Sequence, residues 1–446
     1  MIASLSAAET AGERLAPNVI AVQGGAAATE VPVSAAMLPG GGTGIGRIVL
    51  RYVSDYDNGL PADSAIAGRS YRPSLKLAYI GPPSLGVGLG GPFGTTVSGG
   101  ASAYFSDLLG NHSLGIAVQA TGTLRDIGGQ ALYINSERRW TWGVSVERSP
   151  YVYAYTAADP TSLDYVLAHI AVTGGSLMTS YARSAGTRIE FSAGFQHYGY
   201  YLESRSLYGS DSQELPAPPS LSLTTASLAY VGDDATMGYT SPIAGTRFRF
   251  EATPTFGSLN YQSYLADARR YAYLKPFTLA IRTLAFGRFG TDGDSPQVGS
   301  LFLGDPTLVR GYAYDSFDAA DCQVGPGSLG SSACPQFDRL LGSRLAVANI
   351  EFRIPVFGAR GLGLIESMFP PLEITPFVDA GVAWTGSSAP VWSFDRNSAD
   401  RTPVMSAGIT SRLNMFGFAI FEVYYARPFQ RPARGGMWGF LLSPGW

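Results

Sequence analysis

Charge is scarce in this chain of 446 residues: Asp, Glu, Lys and Arg together make up 15%, against roughly a quarter in ordinary soluble domains. Long apolar runs are missing as well. No window holds the roughly 18 consecutive apolar residues that a membrane-spanning helix requires, because the best stretches break at Gly, Arg or Ser. A helical membrane protein is therefore excluded. So is a disordered chain, since 25 Tyr, 23 Phe, 6 Trp and a mean hydropathy of +0.08 supply more burial than a solvated chain carries. A net charge of −3 argues against a nucleic-acid partner. The three histidines, His112, His169 and His197, stand far apart in sequence and form no ligand spacing, and Cys322 and Cys334 have no nearby His, so no metal site is expected.

What is present is glycine, 55 residues of it, with short segments that alternate apolar and polar residues. The class is all-β, either a large soluble protein or a transmembrane barrel. In Arg188-Ile189-Glu190-Phe191, Arg247-Phe248-Arg249-Phe250-Glu251 and Asn349-Ile350-Glu351-Phe352-Arg353-Ile354 the charges fall on one face and the apolar residues on the other. A soluble sandwich would alternate in the same way, so scale and closure decide. About sixteen such segments follow Leu75, centred near residues 77, 103, 117, 132, 143, 168, 191, 227, 250, 264, 282, 348, 378, 408, 422 and 440. The number is even, and the length of ~10 residues is what a tilted strand needs to cross a bilayer. Aromatic residues gather at segment ends, as in Tyr151-Val152-Tyr153-Ala154-Tyr155 and Tyr198-Gly199-Tyr200-Tyr201, which suits interfacial girdles. One connection, Phe289–Asp338, runs to about fifty residues, a length that calls for a functional reason.

The cysteines Cys322 and Cys334 lie in that connection, among Gly, Ser, Asp and Pro. They close as a disulfide in an oxidising compartment or stand as free thiols. Gly86-Val87-Gly88-Leu89-Gly90-Gly91 satisfies G-x-G-x-x-G but has no helix after it, and reads as a glycine-rich turn rather than a dinucleotide site. The histidines read as girdle or loop residues. Asp107 has no second acid at a useful separation, no nucleophile elbow occurs, and no catalytic residue is assigned. Residues 1–71 are rich in Ala, Gly, Ser and Pro without a sustained period, and are expected to be a linker or remnant tail ahead of a barrel at 72–446. The start MIASLSAAETAGERLAPNVI places Glu9 and Glu13 where the apolar core of an export leader belongs. The expectation is that a longer precursor, or a different start, supplies the leader.

The longest connection also carries Gly304-Asp305-Pro306-Thr307-Leu308-Val309-Arg310-Gly311-Tyr312. This segment resembles the sixth extracellular loop of the BamA/TamA superfamily of outer-membrane assembly factors and two-partner secretion transporters. Phe377-Val378-Asp379-Ala380-Gly381 resembles that superfamily's F-x-D-x-G strand, and Asn349–Pro355 its N-x-E-x-R-x-P strand with Glu351 and Arg353 facing the lumen. The resemblance implies a loop folded into the barrel, locked through Val309, Arg310, Gly311 and Tyr312, with Arg310 set against Asp379. Residue parity agrees on its own terms, because Asp379 shares a face with Phe377 and Gly381, opposite Val378 and Ala380. A guanidinium suits such a carboxylate better than an ammonium, since its planar fork binds with two bonds.

Segments in Asp57–Gln119 look like the barrel entry of the subset in which the barrel follows a TolB-like β-propeller, although no propeller repeat is present here and a POTRA array would not fit in the tail. The end matches the family's terminal signal only in part, through Gly435, Trp438 and Phe440, with Pro444 removing a ladder donor. The expectation is an outer-membrane protein, embedded in lipid, that inserts or translocates polypeptides without a cofactor and acts on unfolded outer-membrane protein clients. It would work through a seam between the first strand (Leu75, Leu77, Tyr79) and the last (Trp438, Phe440), where free edge groups pair with a client strand. The alternative is an anchor or passive pore for a soluble domain absent from this chain.

Overall fold

The computed structural model describes residues 70–88, 96–121, 126–159, 162–206, 212–317, 321, 334–359, 361–367, 369–394, 401–415, 417, 419–431 and 434–442. Contacts divide the chain into Met1–Pro73 and Ser74–Trp446, and the sheet belongs to the second unit. Nearly all of the expected tail, together with Cys322, Pro444 and Trp446, lies outside the described residues.

Among the described residues, sixteen antiparallel strands make up the wall, with the short segments Ser212–Leu215, Thr236–Met237 and Ile365–Glu366 added to the same sheet. The first, β1, is interrupted: Lys76–Ile80 and Ser84–Gly88 both pair with β2 (Thr96–Ser106), on either side of Gly81-Pro82-Pro83. Then come β3 (His112–Thr121), β4 (Ile127–Asn135), β5 (Trp140–Asp159), β6 (Ser162–Ala182), β7 (Thr187–Ser206) and β8 (Leu221–Asp233). The second half is β9 (Pro242–Gly257), β10 (Tyr261–Leu274), β11 (Phe277–Phe289), β12 (Arg344–Gly358), β13 (Leu372–Trp384), β14 (Val404–Met415), β15 (Ala419–Pro428) and β16 (Met437–Leu442). Each pairs with its neighbour in sequence, and each of the sixteen expected centres falls inside one strand.

Two details differ from the sequence reading. Gly86, Val87 and Gly88 are not a turn but the end of β1, pairing with Thr96–Ser98. A bulge at Ala78 also breaks the parity of β1: Leu77 pairs with Phe105, whereas Tyr79 pairs with Tyr104. Directly paired residues share a face, so Leu77 and Tyr79 point to opposite sides.

The sheet is inside out relative to a soluble protein. Ile350, Val378 and Ile409 on its outer face are 49%, 43% and 55% exposed, while their inward neighbours Glu351, Asp379 and Thr410 are 0% exposed. Apolar outside and polar inside, along strands long enough to cross a bilayer, is a transmembrane β-barrel. No helix among the described residues is long and apolar enough to cross a membrane. The two longest connections, 290–343 and 385–403, lie at one end, the loop end; the other end is the turn end. Between β11 and β12 the long loop folds into the lumen, where Phe302, Leu303, Val309, Tyr312 and Leu340 pack on Leu345, Val347, Ala383 and Val404 of the wall. The opposite side of the lumen, along β1 to β5, stays open as a cavity of about 580 Å³ lined by Ser84, Ser98, Ser102, Gln119 and Gln130.

Placing Arg at Ile116 or Phe250 on the outer face is expected to cost roughly 2–4 kcal/mol near the bilayer midplane, whereas Arg at the inward Gln119 should be tolerated. Urea unfolding from liposomes measures this. Equal costs at all three positions would overturn the orientation.

Candidate functional site

The loop is built to deliver one arginine. Asp305 accepts bonds from Thr307 N at 2.8 Å and Thr307 Oγ1 at 2.6 Å, and its carbonyl accepts Leu308 N and Val309 N, so the segment before Arg310 is a closed turn. Gly311 follows at φ 93°, in the left-handed region that a side chain strains, and an added Cβ would meet Ala426 and Pro428 at 3.4 Å. Val309 is buried in the apolar cluster. Tyr312 is also buried, its hydroxyl donating within 2.9 Å of Gln430 Oε1 and Met405 O. Burial pushes the Tyr312 phenol up to about 12, so it stays a neutral donor.

Arg310 enters the wall of β12 to β15. Its Nε and Nη2 donate to Asp379 Oδ2 and Oδ1, each at 2.8 Å, and its backbone N adds a bond of 3.2 Å to the same carboxylate. Nη1 donates to Glu351 Oε1 at 2.9 Å and Thr410 Oγ1 at 3.0 Å, with Glu422 Oε1 3.7 Å away. The guanidinium carbon stands 3.5 Å from the centroid of the Phe377 ring. Burial works against the charge, but Asp379, Glu351 and Glu422 outweigh it and hold the Arg310 pKa above the usual arginine range. Asn349 fixes the acceptor by donating Nδ2 to Asp379 Oδ1 and to Leu308 O, both at 2.8 Å.

Below this pair the charges continue. Glu351 accepts from Arg310, from Arg353 Nε at 3.0 Å, and from Arg412 at 2.8 and 3.0 Å. Arg412 donates further to Glu422 Oε2 at 2.9 Å and Glu373 Oε1 at 3.0 Å. Glu373 then accepts from Thr240 Oγ1 at 2.9 Å and Ser241 Oγ at 2.7 Å, which come from the turn between β8 and β9. A second group braces the base of the loop: Asp267 accepts from Arg269 and Arg282, and Arg282 Nη1 reaches Thr307 O at 3.0 Å.

The expected lock residues Val309, Arg310, Gly311, Tyr312 and Asp379 are thus gathered in one place, with Glu351 and Arg353 beside them. Sequence reasoning missed Arg412, Glu373, Glu422, Thr410, Asp267 and Arg282. A signal existed for the wall residues, since Thr410 follows the lipid-facing Ile409 and Arg412 shares the parity of Thr410, and Glu422 sits between Phe421 and Val423. The seam residues lie elsewhere. Leu77, Tyr79, Trp438 and Phe440 are exposed, Leu75 precedes β1, and among the described residues no pairing joins β1 to β16. Cys334 is disulfide-bonded. The histidines sit in three different strands, each with its own partner: His112 with Tyr133, His169 with Asp126 and His197 with Ser222.

A comparison with curated proteins finds no match. Among solved structures, BamA from Haemophilus ducreyi lacking POTRA domains 1–3 is similar, with a TM-score of 0.52, 16% identity, and coverage of 83% of this chain and 70% of that one. CdiB from Acinetobacter baumannii aligns at a TM-score of 0.46 and 13% identity, covering 78% of this chain and 56% of that one. The likeness to BamA concerns the fold. The family model for the Omp85 superfamily domain matches residues 110–443, a span that holds the loop, Arg310, Asp379 and the network beneath them. The chain belongs to the Omp85 superfamily.

Proposed function

We propose that this barrel inserts outer-membrane proteins into the bacterial outer membrane, or passes polypeptides across it, through the seam between β1 and β16. The observation that carries the reading is the state of the first strand. All five residues of Lys76–Ile80 are exposed, and the strand pairs over a few residues with Ala103–Ser106 beyond a bulge. The last strand, β16, is six residues long and pairs with β15. Such edges offer backbone donors and acceptors to an incoming client strand, and no cofactor is needed for the exchange. The docked loop keeps the other side of the barrel rigid while the seam works. Residues 1–71 are, in this reading, a linker from a preceding module, and the loop end faces outward from the cell.

A second reading is favoured by the open cavity along β1 to β5: a passive pore or an anchor for a soluble domain, of which a propeller is one kind. A crosslink separates the two. Tying β1 to β16 through cysteines on a shared face should abolish insertion of a model barrel into liposomes while leaving this barrel folded, and reduction should restore it. The bulge selects the pairs: Leu77 or Ile80 with Phe440 outside, Tyr79 with Gly439 inside. A Tyr79–Phe440 pair would place one thiol in the lumen and the other in lipid. Full activity in the crosslinked form would discard the seam, and no activity in either form would favour the anchor.

A further inference from the structure

The turn between β8 and β9, residues 234–241, does something that a strand connection has no need to do. It leaves its own side of the barrel and reaches β13 and β14, four and five strands from β9. Thr240 and Ser241 are 5% and 0% exposed and both donate to Glu373 Oε2. Pro242 O accepts from Arg353 Nη1 at 2.8 Å, and Tyr239 O accepts from Asn414 Nδ2. From Ser241 the bonds run without a break through Glu373, Arg412 and Glu351 to Arg310. Every side chain on that path is at least nine-tenths buried.

We propose that the turn 234–241 and the inward-folded loop are coupled ends of one relay, so that whatever displaces the turn at the turn-end mouth weakens the seat of Arg310, and the reverse. The physical step is competition for donors. Glu373 has its Oε2 satisfied by two hydroxyls and its Oε1 by Thr375 and Arg412. Once the hydroxyls leave, a buried carboxylate oxygen has lost its donors, which is costly, and Arg412, which already donates to Glu373 Oε1, is a donor that can turn toward it. Arg412 turning toward Glu373 loosens its paired bonds to Glu351, and Glu351 is the carboxylate that Arg310 Nη1 needs. Running the other way, loss of Arg310 frees Glu351 to draw Arg412 from Glu373. Coupling between two sites is reciprocal in free energy, and both directions must be seen.

This relay rests on the fold alone and does not require that the barrel insert clients. Amide hydrogen exchange on the whole protein in liposomes reads both ends at once. The reporters are Gly238 N, bonded to Ser241 O, at the turn, and Leu303 N and Val309 N, bonded to Leu340 O and Asp305 O, in the loop. Thr240→Val with Ser241→Ala should raise exchange in the loop about tenfold, and Arg310→Ala should raise it at the turn by a similar factor, within the usual range of coupling. If Arg310→Ala fails to fold, Arg310→Lys serves, since it keeps the charge and loses the fork. Asp294→Asn is the control. Asp294 holds Ser343 Oγ and Gly386 N at the top of the loop, off the path, so its loss should loosen the loop and leave the turn protected. Exchange that rises only at the mutated end, or a control that loosens the turn as much as the Arg310 variant does, would overturn the relay.

Discussion

Glu351→Ala is expected to be the most damaging single substitution in the barrel, lowering its unfolding free energy by roughly 3–5 kcal/mol, the range for leaving buried charges without their partner. The reason is the number of cations that depend on one carboxylate. Arg310, Arg353 and Arg412 all donate to Glu351, which is 0% exposed, and Arg353 and Arg412, which belong to the wall, cannot move to water without unfolding it. Glu351→Gln should be nearly as harmful, because its amide turns two further donors toward three guanidinium groups. Glu190→Ala supplies the contrast. That carboxylate also pairs with two arginines, Arg188 and Arg249, but in a partly exposed position on the inner wall of β7, where solvent screening limits a pair to about 0–1 kcal/mol. Urea titration of the folded barrel, followed by its gel mobility without heating, gives both values. Similar losses at Glu351 and Glu190 would mean that the network is hydrated and adds little.

The sequence is informative wherever a rule depends on neighbours along the chain. Alternation located all sixteen strands, because a wall that faces lipid on one side and charge on the other must change character at every residue. The same parity put Asp379, Glu351 and Arg353 inward. It breaks down where the backbone leaves the regular pleat: nothing in Lys76-Leu77-Ala78-Tyr79-Ile80 announces a bulge, yet the bulge moves Tyr79 to the other face. Partners were harder still. Parity assigns Arg412 and Glu373 to the lumen, but their meeting depends on the stagger of β13 against β14, Glu373 facing Arg412 in the ladder. Stagger is a property of the assembled sheet and leaves no mark in either strand. The reach of Thr240 and Ser241 across the lumen is further removed, since a polar pair in a turn is what any exposed connection would carry.

Arg310 and Asp379 are expected to behave as a unit whose loss is complete at the first substitution. Either Arg310→Ala or Asp379→Ala should release the loop, seen as protease cleavage within residues 303–316 and loss of insertion activity, and the double variant should be little worse than the more damaging single one. An interaction energy of about 2–3 kcal/mol, at the upper end for contacting residues, is the expected result of the cycle. The two singles should not be equal. Removing Asp379 leaves Arg310 with Glu351 and Thr410, whereas removing Arg310 leaves Asp379 and Glu351 both short of a cation in the same buried space. Arg310→Ala should therefore be the worse of the two. Arg310→Lys should fall between Arg310→Ala and the native protein, because an ammonium can neutralise Asp379 but cannot span two of its oxygens while also reaching Glu351. Strict additivity in the cycle would falsify the unit, and would leave Phe377 stacking and the apolar seat of Val309 and Tyr312 as what holds the loop.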